Sequence, residues 1–510
     1  MLRQDEVHND LRIKSECANQ LRIRKEEITA VSVEKRSLDA RPKVPIYRLS
    51  CNVYVNENPP ELKRIEYVNL SDTAPVVHII GFGPAGMFAA LRLIEHGIKP
   101  VIFERGKPVQ ERRRDIRNLM QEHNVNPESN YCFGEGGAGT FSDGKLYTRS
   151  TKKGDVKKIL RVLNSFGASA DILIDAHPHI GSNVLPKIVV RIRETIISCG
   201  GEIHFNSKLT DIKYADNKIQ SIVINDTEEH ECGSLILATG HSARDIYNLF
   251  NTKKLFIEPK PFAVGFRIEH SQEYINELRY RSKEHSHNLP AAEYSFTCQS
   301  EGRGAFSFCM CPGGIVVPAS TAGGELVLNG MSVSKRNSRF ANSGFVVTVD
   351  EKDWSKEFQD SPLAGMQYQA GIEGKAFQMT SSQRAPAQRA IDFIDGVESK
   401  ELPESSYIPG LESINLNNLF SKSVSTSLKH ALQAAEIKMK GYSNGLLLAP
   451  ETRTSSPVRI TRNSETRQHT QVQGLFPVGE GAGYAGGIMS AAIDGELSAD
   501  SAAGLLGISL

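Results

Sequence analysis

The chain has 510 residues, long enough for two or three domains and a sizeable buried core. Sixty Lys and Arg stand against 59 Asp and Glu, a formal charge of +1, so no overall electrostatic case exists for nucleic acid or an anionic membrane as the main partner. No apolar run approaches the roughly 20 residues of a membrane span, residues Met1 to Gln20 lack the apolar stretch of a secretory signal, and eight scattered cysteines suit reduced thiols, which together imply a cytoplasmic protein.

Residues 1–72 read as a small separate unit: a polar helix over Glu6 to Leu21, a strand over Ile28 to Glu34, and a second over Tyr47 to Val55 whose period-two alternation suits a half-buried strand. The apolar run Val76 to Ile80 then meets Gly81-Phe82-Gly83-Pro84-Ala85-Gly86, a helical pattern (Met87, Ala90, Leu91, Ile94) that stops at Gly97, and a second apolar run, Pro100 to Phe103, that ends in Glu104. This is a dinucleotide-binding signature in its full context, where a lone G-x-G-x-x-G would be weak. Gly81 permits the tight turn, Gly83 lets backbone approach a pyrophosphate, and Gly86 lets helix pack on strand. Pro84 and Ala85 open the helix whose free N–H groups and positive dipole end favour phosphate. Glu104, 18 residues past Gly86, is expected to accept both ribose hydroxyls of an adenosine. A plain βαβ unit with a glycine turn is the blander reading.

Beyond Glu104 come Arg105, assigned to cofactor contact, and the basic run Arg112-Arg113-Arg114, which suits a pyrophosphate, an acidic substrate or, as a charge run usually is, a solvated face; of the three, Arg112 is assigned to the cofactor. Gly134, Gly136 and Gly139 repeat the glycine spacing without a preceding strand or following helix, and are discounted. Lys145 and Arg453, both in loops, are expected beside a cofactor or substrate. Leu185 to Ile196 marks a helix face. Strands follow at Glu202 to Asn206, Leu209 to Tyr214 and Ile219 to Ile224, with a turn at Asp216-Asn217. Leu209 and the strand end Ala238-Thr239-Gly240 are assigned to cofactor contact. The stretch 257–449 interrupts this pattern without a repeat. The chain returns at Gly474 to Gly483, with Gly486-Gly487-Ile488-Met489 opening a last helix.

A second glycine-acid element hundreds of residues downstream fits FAD better than NAD, because FAD is longer by a ribityl chain and a flavin ring. Gly479 and Glu480 would meet the ribityl hydroxyls. The helix opened by Gly486, Gly487, Ile488 and Met489 would point its positive end at the flavin edge where charge gathers on reduction.

On these residues the chain resembles the glutathione-reductase-like FAD superfamily. More closely, Arg36 to Arg41, Gly137 to Leu146, Ala238 to Asp245, Cys309 to Gly314, Glu451 to Pro457 and Glu480 to Met489 resemble an uncharacterised family of bacterial FAD-dependent dehydrogenases. The resemblance implies an α/β fold: a discontinuous Rossmann-like FAD-binding domain over 73–256 and 450–510, an inserted mixed α+β substrate domain over 257–449, and a ferredoxin-like domain over 1–72. It carries no substrate. The chain departs from the superfamily's disulfide reductases, having no C-x4-C pair after Gly86 and no second fingerprint for a bound pyridine nucleotide. NAD(P)H is therefore expected only as a transient electron donor.

The catalytic candidates are three. Cys309 and Cys311, the only close thiol pair, end a strand-like run before a Pro-Gly-Gly turn that would expose them to the flavin; plain packing is the competing reading. His241 could donate a proton near neutral pH, although Ser242 and Asp245 have the spacing of a capping box that needs no catalysis. Arg384 and Arg389 suit either a substrate carboxylate or the surface. No cluster has metal-ligand spacing. The expected function is a dehydrogenase moving a hydride between flavin N5 and a small molecule. The alternatives are a flavin monooxygenase, or a flavin-bearing binding or redox-sensing protein that docks a partner through residues 1–72.

Overall fold

The computed structural model describes residues 2–42, 44–60, 65–148, 154–281, 289–358 and 361–508. Residues 1, 43 and 61–64 of the predicted N-terminal unit lie outside them.

Five short parallel strands form one sheet in the order Leu475–Pro477, Leu235–Leu237, Val76–Ile80, Lys99–Phe103, Glu202–His204. Alternation sorts their side chains to two faces. Val77 and Ile79 join the helices Pro84–Glu95, Leu185–Ser198 and Ile488–Leu505 in one apolar cluster. Ile80, Val101 and Phe103 join Ile212, Ile222 and Ile224 of an antiparallel meander, Leu209–Ala215, Lys218–Ile224 and Glu228–Glu231. Asp216 and Asn217 turn its first hairpin with φ of 49° and 58°, the left-handed pair that short-chain polar residues tolerate. Gly86 must be glycine, because a Cβ there would stand 2.0 Å from the Gly81 carbonyl oxygen.

A second, seven-stranded sheet runs Thr297–Ser300, Arg303–Cys311, Phe340–Val349, Phe262–Ser271, Leu446–Glu451, Ala385–Arg389, Leu411–Ser413, antiparallel except for its last pair. On the strand Phe262–Ser271, Phe262, Val264, Phe266 and Ile268 face an apolar layer that contains Leu428 and Leu432 of the helix Lys422–Lys438. The alternate position Arg267 therefore faces the other way, where it is wholly buried among polar partners. The strand Leu446–Glu451 crosses the expected boundary at 449/450, because its hydrogen-bond ladder to Gly265–Glu269 continues as far as Glu451.

The N-terminal unit differs from expectation. Its helix is Asp10–Leu21, starting four residues late because the Asn9 side chain caps it by accepting from the Arg12 N–H. Among the described residues it has that helix, the hairpin Ile28–Asp39 with Ile46–Val55, and a bridge from Leu2 to Tyr47. That is half of the four strands and two helices of a ferredoxin-like domain. The hairpin leans on the rest of the chain through Arg36, which ion-pairs with Asp171 and Asp175 at 2.7 Å each. Among the described residues no helix is long and apolar enough to cross a membrane.

Candidate functional site

A cavity of about 440 Å³ follows the carboxyl ends of the parallel strands, the usual ligand position in open α/β sheets. Its wall draws on all three predicted segments: Gly81, Gly83, Pro84 and Ala85; Ala238, Thr239 and Gly240; and Glu480 with Gly486, Gly487, Ile488 and Met489. Glu104, Arg105, Lys145, Leu209, His241 and Cys309 also reach it. Gly86, Gly479, Arg112 and Cys311 do not line it. Gly86 packs helix to turn, and the Gly479 N–H is spent on Asp494 at 2.7 Å.

At one end the helix Pro84–Glu95 starts at Gly83 with no side chain capping it, so its first N–H groups are left for a ligand. A Cβ on Gly83 would meet only the Gly137 Cα, at 3.8 Å. The protein leaves room for that atom, so a bare Gly83 keeps open the space at the helix start where a pyrophosphate would lie. Glu104 is only 4 % exposed and does more than expected. Its carboxylate already accepts the N–H groups of Phe82 at 2.8 Å and of Gly106 and Gly134 at 2.9 Å each. A carboxylate has about four acceptor positions, so one is left for a ribose and the expected pair of ribose bonds is corrected to one. Arg105 pairs with Glu128 and Asp245 and lies 4.2 Å over the Phe133 ring. Asp245 is consequently absent from the predicted capping box, and the helix Arg244–Thr252 starts without a side-chain cap.

Arg112 is corrected outright. It is fully buried behind the glycine loop, and its guanidinium donates to the backbone carbonyls of Asn130, Tyr131, Gly134, Glu135 and Gly137. No donor remains for phosphate. It moulds the loop that faces Gly83. Arg384 and Arg389, each with a side chain 50 % exposed, lie on the surface away from the cavity.

At the other end, burial pushes the Glu480 carboxyl up to about 7 against the pull of Lys260 and of the Gly487 N–H. Burial, helped by the charges of Arg453, Lys260 and Arg244, pulls the His241 imidazole down to about 3, so it is neutral near pH 7 and cannot be the proton donor expected there. Those arginines belong to a network the sequence left unmarked. Arg453 and Arg244 both bind Glu373, at 2.9 and 2.7 Å, and Glu325, at 2.7 and 3.0 Å. Burial would raise the Glu373 carboxyl, but the two guanidinium groups hold it at about 2. Lys145 donates to the Met310 carbonyl and stands 3.6 Å from Asp143, itself paired with Arg336 at 2.7 Å. The thiol strand runs on through Cys311, so the expected exposure of both thiols fails: Cys309 lines the cavity and Cys311 is buried behind it.

Glu480 gives a pH prediction. Its carboxyl binds a proton more tightly folded than unfolded, so its stabilising contribution is complete below its ordinary value of 4.5 and is lost as pH rises through about 7. Glu480→Gln should make the fall in unfolding free energy across that window shallower in flavin-free protein. An unchanged slope in urea titrations would remove Glu480 from the account.

The uncapped helix, the Gly83 cradle and the acid facing the second glycine turn fit an FAD lying along this cavity. Comparison with known proteins agrees on the cofactor. Residues 261–454 match the family model "FAD-dependent protein, C-terminal domain-like", and residues 1–54 match a domain of unknown function, DUF8436. A relative from Clostridium beijerinckii, described as an uncharacterized protein, is 41% identical over 515 residues, covering 96% of this chain and 95% of its own. Among solved structures, CtdE in complex with FAD is 12% identical with a TM-score of 0.34, covering 84% of this chain and 83% of its own. The tetracycline destructase Tet(55) is 9% identical with a TM-score of 0.35, covering 84% and 80%.

Proposed function

Because the chain belongs to one family with the Clostridium beijerinckii relative and its residues 261–454 match an FAD-dependent domain, we propose that it is an oxidoreductase of the dehydrogenase type, moving a hydride between flavin N5 and a small molecule. One observation carries this reading: Lys145, Asn329 and Cys309, from outside the three glycine segments, face the same cavity as Glu480 and the start of the helix Ile488–Leu505. A wall that only stored a cofactor would need no such mixed set. Bound FAD supplies the two-electron chemistry at its ring.

The chain's own groups supply position and electrostatics. N–H groups after Gly83 would hold the pyrophosphate, and Glu104 would take one ribose hydroxyl. Glu480, poised to be either charged or neutral near pH 7, accepts or donates a hydrogen bond at the ribityl chain. The helix Ile488–Leu505, entered through Gly487 without a side-chain cap, would offer its positive end to the part of the flavin that gains charge on reduction. The Lys145 ammonium offers a fixed positive charge for an anionic group of the substrate. NAD(P)H serves as a transient reductant, and residues 1–72 offer a surface for a protein partner.

The test is anaerobic reduction of the FAD-loaded protein by NADH and NADPH, then reoxidation by a panel of metabolites and, separately, by oxygen. Faster reoxidation by an organic acceptor than by oxygen is expected. Oxygen incorporated into an organic product would replace this reading with a monooxygenase, and no reduction by either nucleotide would exclude the proposed donor.

A further inference from the structure

The strand Arg303–Cys311 breaks register on its neighbour between Phe308 and Cys311. Within that bulge Cys309 adopts a φ of 44°, left-handed for a residue with a side chain. In a flat strand residues two apart lie about 6.8 Å from each other, at the upper limit for a disulfide; a bulge draws them closer. The Cys311 thiol turns back on the bulge and donates to the Cys309 carbonyl at 3.3 Å. Cys309 opens on the cavity while Cys311 stands directly behind it. Arg267 lies against both, its Nη2 at 3.0 Å from the Cys309 carbonyl oxygen and 3.9 Å from the Cys311 sulfur.

We propose that Cys309 and Cys311 are an attacking and a resolving thiol that exchange with a low-molecular-weight disulfide entering the cavity. Cys309 attacks one sulfur of RS–SR: a Cys309–S bond forms, the RS–SR bond breaks, and RS⁻ leaves and takes up a proton. Cys311 then attacks the Cys309 sulfur, its proton going to the second departing RS⁻. Two protein thiols are oxidised to one disulfide and one RSSR is reduced to two RSH. This goes beyond the flavin reading and needs no turnover at the flavin.

Electrostatics divides the roles. The hydrogen bond from Cys311 lowers the Cys309 thiol, and the Lys145 and Arg267 charges lower it further, against burial and Asp143. Cys311 is raised because Cys309 holds the anion. Glu451 and Glu480, the other acids near Cys309, are themselves raised by burial, which limits the negative charge they set against it. Once Cys309 is capped, that competition ends and the same cations act on Cys311.

The experiment exposes the FAD-loaded protein, without oxygen, to bis(2-hydroxyethyl) disulfide and maps the peptides. Wild type should yield a Cys309–Cys311 link and release both probe thiols, whereas Cys311→Ser should stop at a probe adduct on Cys309. Lys145→Met should move the pH at which Cys309 capping reaches half its maximum rate upward, because that thiol loses a charge that favours its anion; an unmoved pH profile would take Lys145 out of the proposal. An unchanged flavin-to-protein ratio in Cys311→Ser, whose side chain does not line the cavity, establishes that the cavity is intact. Wild type in which both thiols stay reduced, or in which Cys309 reacts no faster than the partly exposed Cys298, would overturn the proposal whatever the flavin does.

Discussion

Glu104→Ala should destabilise the flavin-free protein by about 3 kcal/mol or more, since each buried hydrogen bond to a charged acceptor contributes about 1.5–3 kcal/mol. The carboxylate ties together the glycine turn at Phe82, the strand end at Gly106 and the loop at Gly134. Its removal leaves three amides without their acceptor at a site only 4 % exposed. FAD binding should fall as a consequence of the lost turn, more than from one lost ribose contact. Glu104→Gln should recover only part of the stability, because its amide presents N–H to donors. Urea unfolding of the apoprotein separates the two roles. If Glu104→Ala weakened FAD binding while leaving apoprotein stability within error, the carboxylate would act on the cofactor alone.

Arg112→Met should cost about 4 kcal/mol. Five carbonyls lose their donor inside the protein, and an unsatisfied buried acceptor costs about 1–3 kcal/mol before the loop relaxes. Arg112→Lys tests whether charge or geometry matters. An ammonium has three donors on one atom and cannot span carbonyls distributed around a planar fork, so it should recover less than half. Limited proteolysis should then cut within 130–139. A Lys variant as stable as wild type would mean that the positive charge behind the loop is what counts.

The sequence carried the parallel sheet and its glycine turns because those depend on spacing along a short stretch: Gly81, Gly83, Gly86 and the acid at 104 are close neighbours in the chain. The meander was legible for the same reason, through alternation and the Asp216-Asn217 turn. The failures are long-range. Arg112 looks like any member of a surface charge run, and its partners are backbone carbonyls, which no residue type advertises. Ser242 and Asp245 have correct capping spacing, yet Arg105, 140 positions earlier, takes the aspartate. Lys145 meets the carbonyl of Met310 across 165 positions, so the polar wall around Cys309 could not be assembled from local pattern. His241 reads as an ordinary imidazole because its burial, and the Arg453 and Lys260 charges that join that of nearby Arg244, are set by the fold. The N-terminal unit was overdrawn: two good strands and a helix fit a ferredoxin-like plan, but half of that plan is what the described residues contain.

The most direct measurement is titration of flavin-stripped protein with FAD and with FMN, for wild type and Gly83→Val. An FAD lying along the whole cavity predicts one tightly held FAD per chain, much weaker FMN, and loss of FAD binding in Gly83→Val with the unfolding transition unchanged, since the added side chain enters space that only the cofactor uses. FMN binding as tightly as FAD, or Gly83→Val retaining stoichiometric FAD, would contradict it, because the nucleotide half would then not run past the start of the helix Pro84–Glu95.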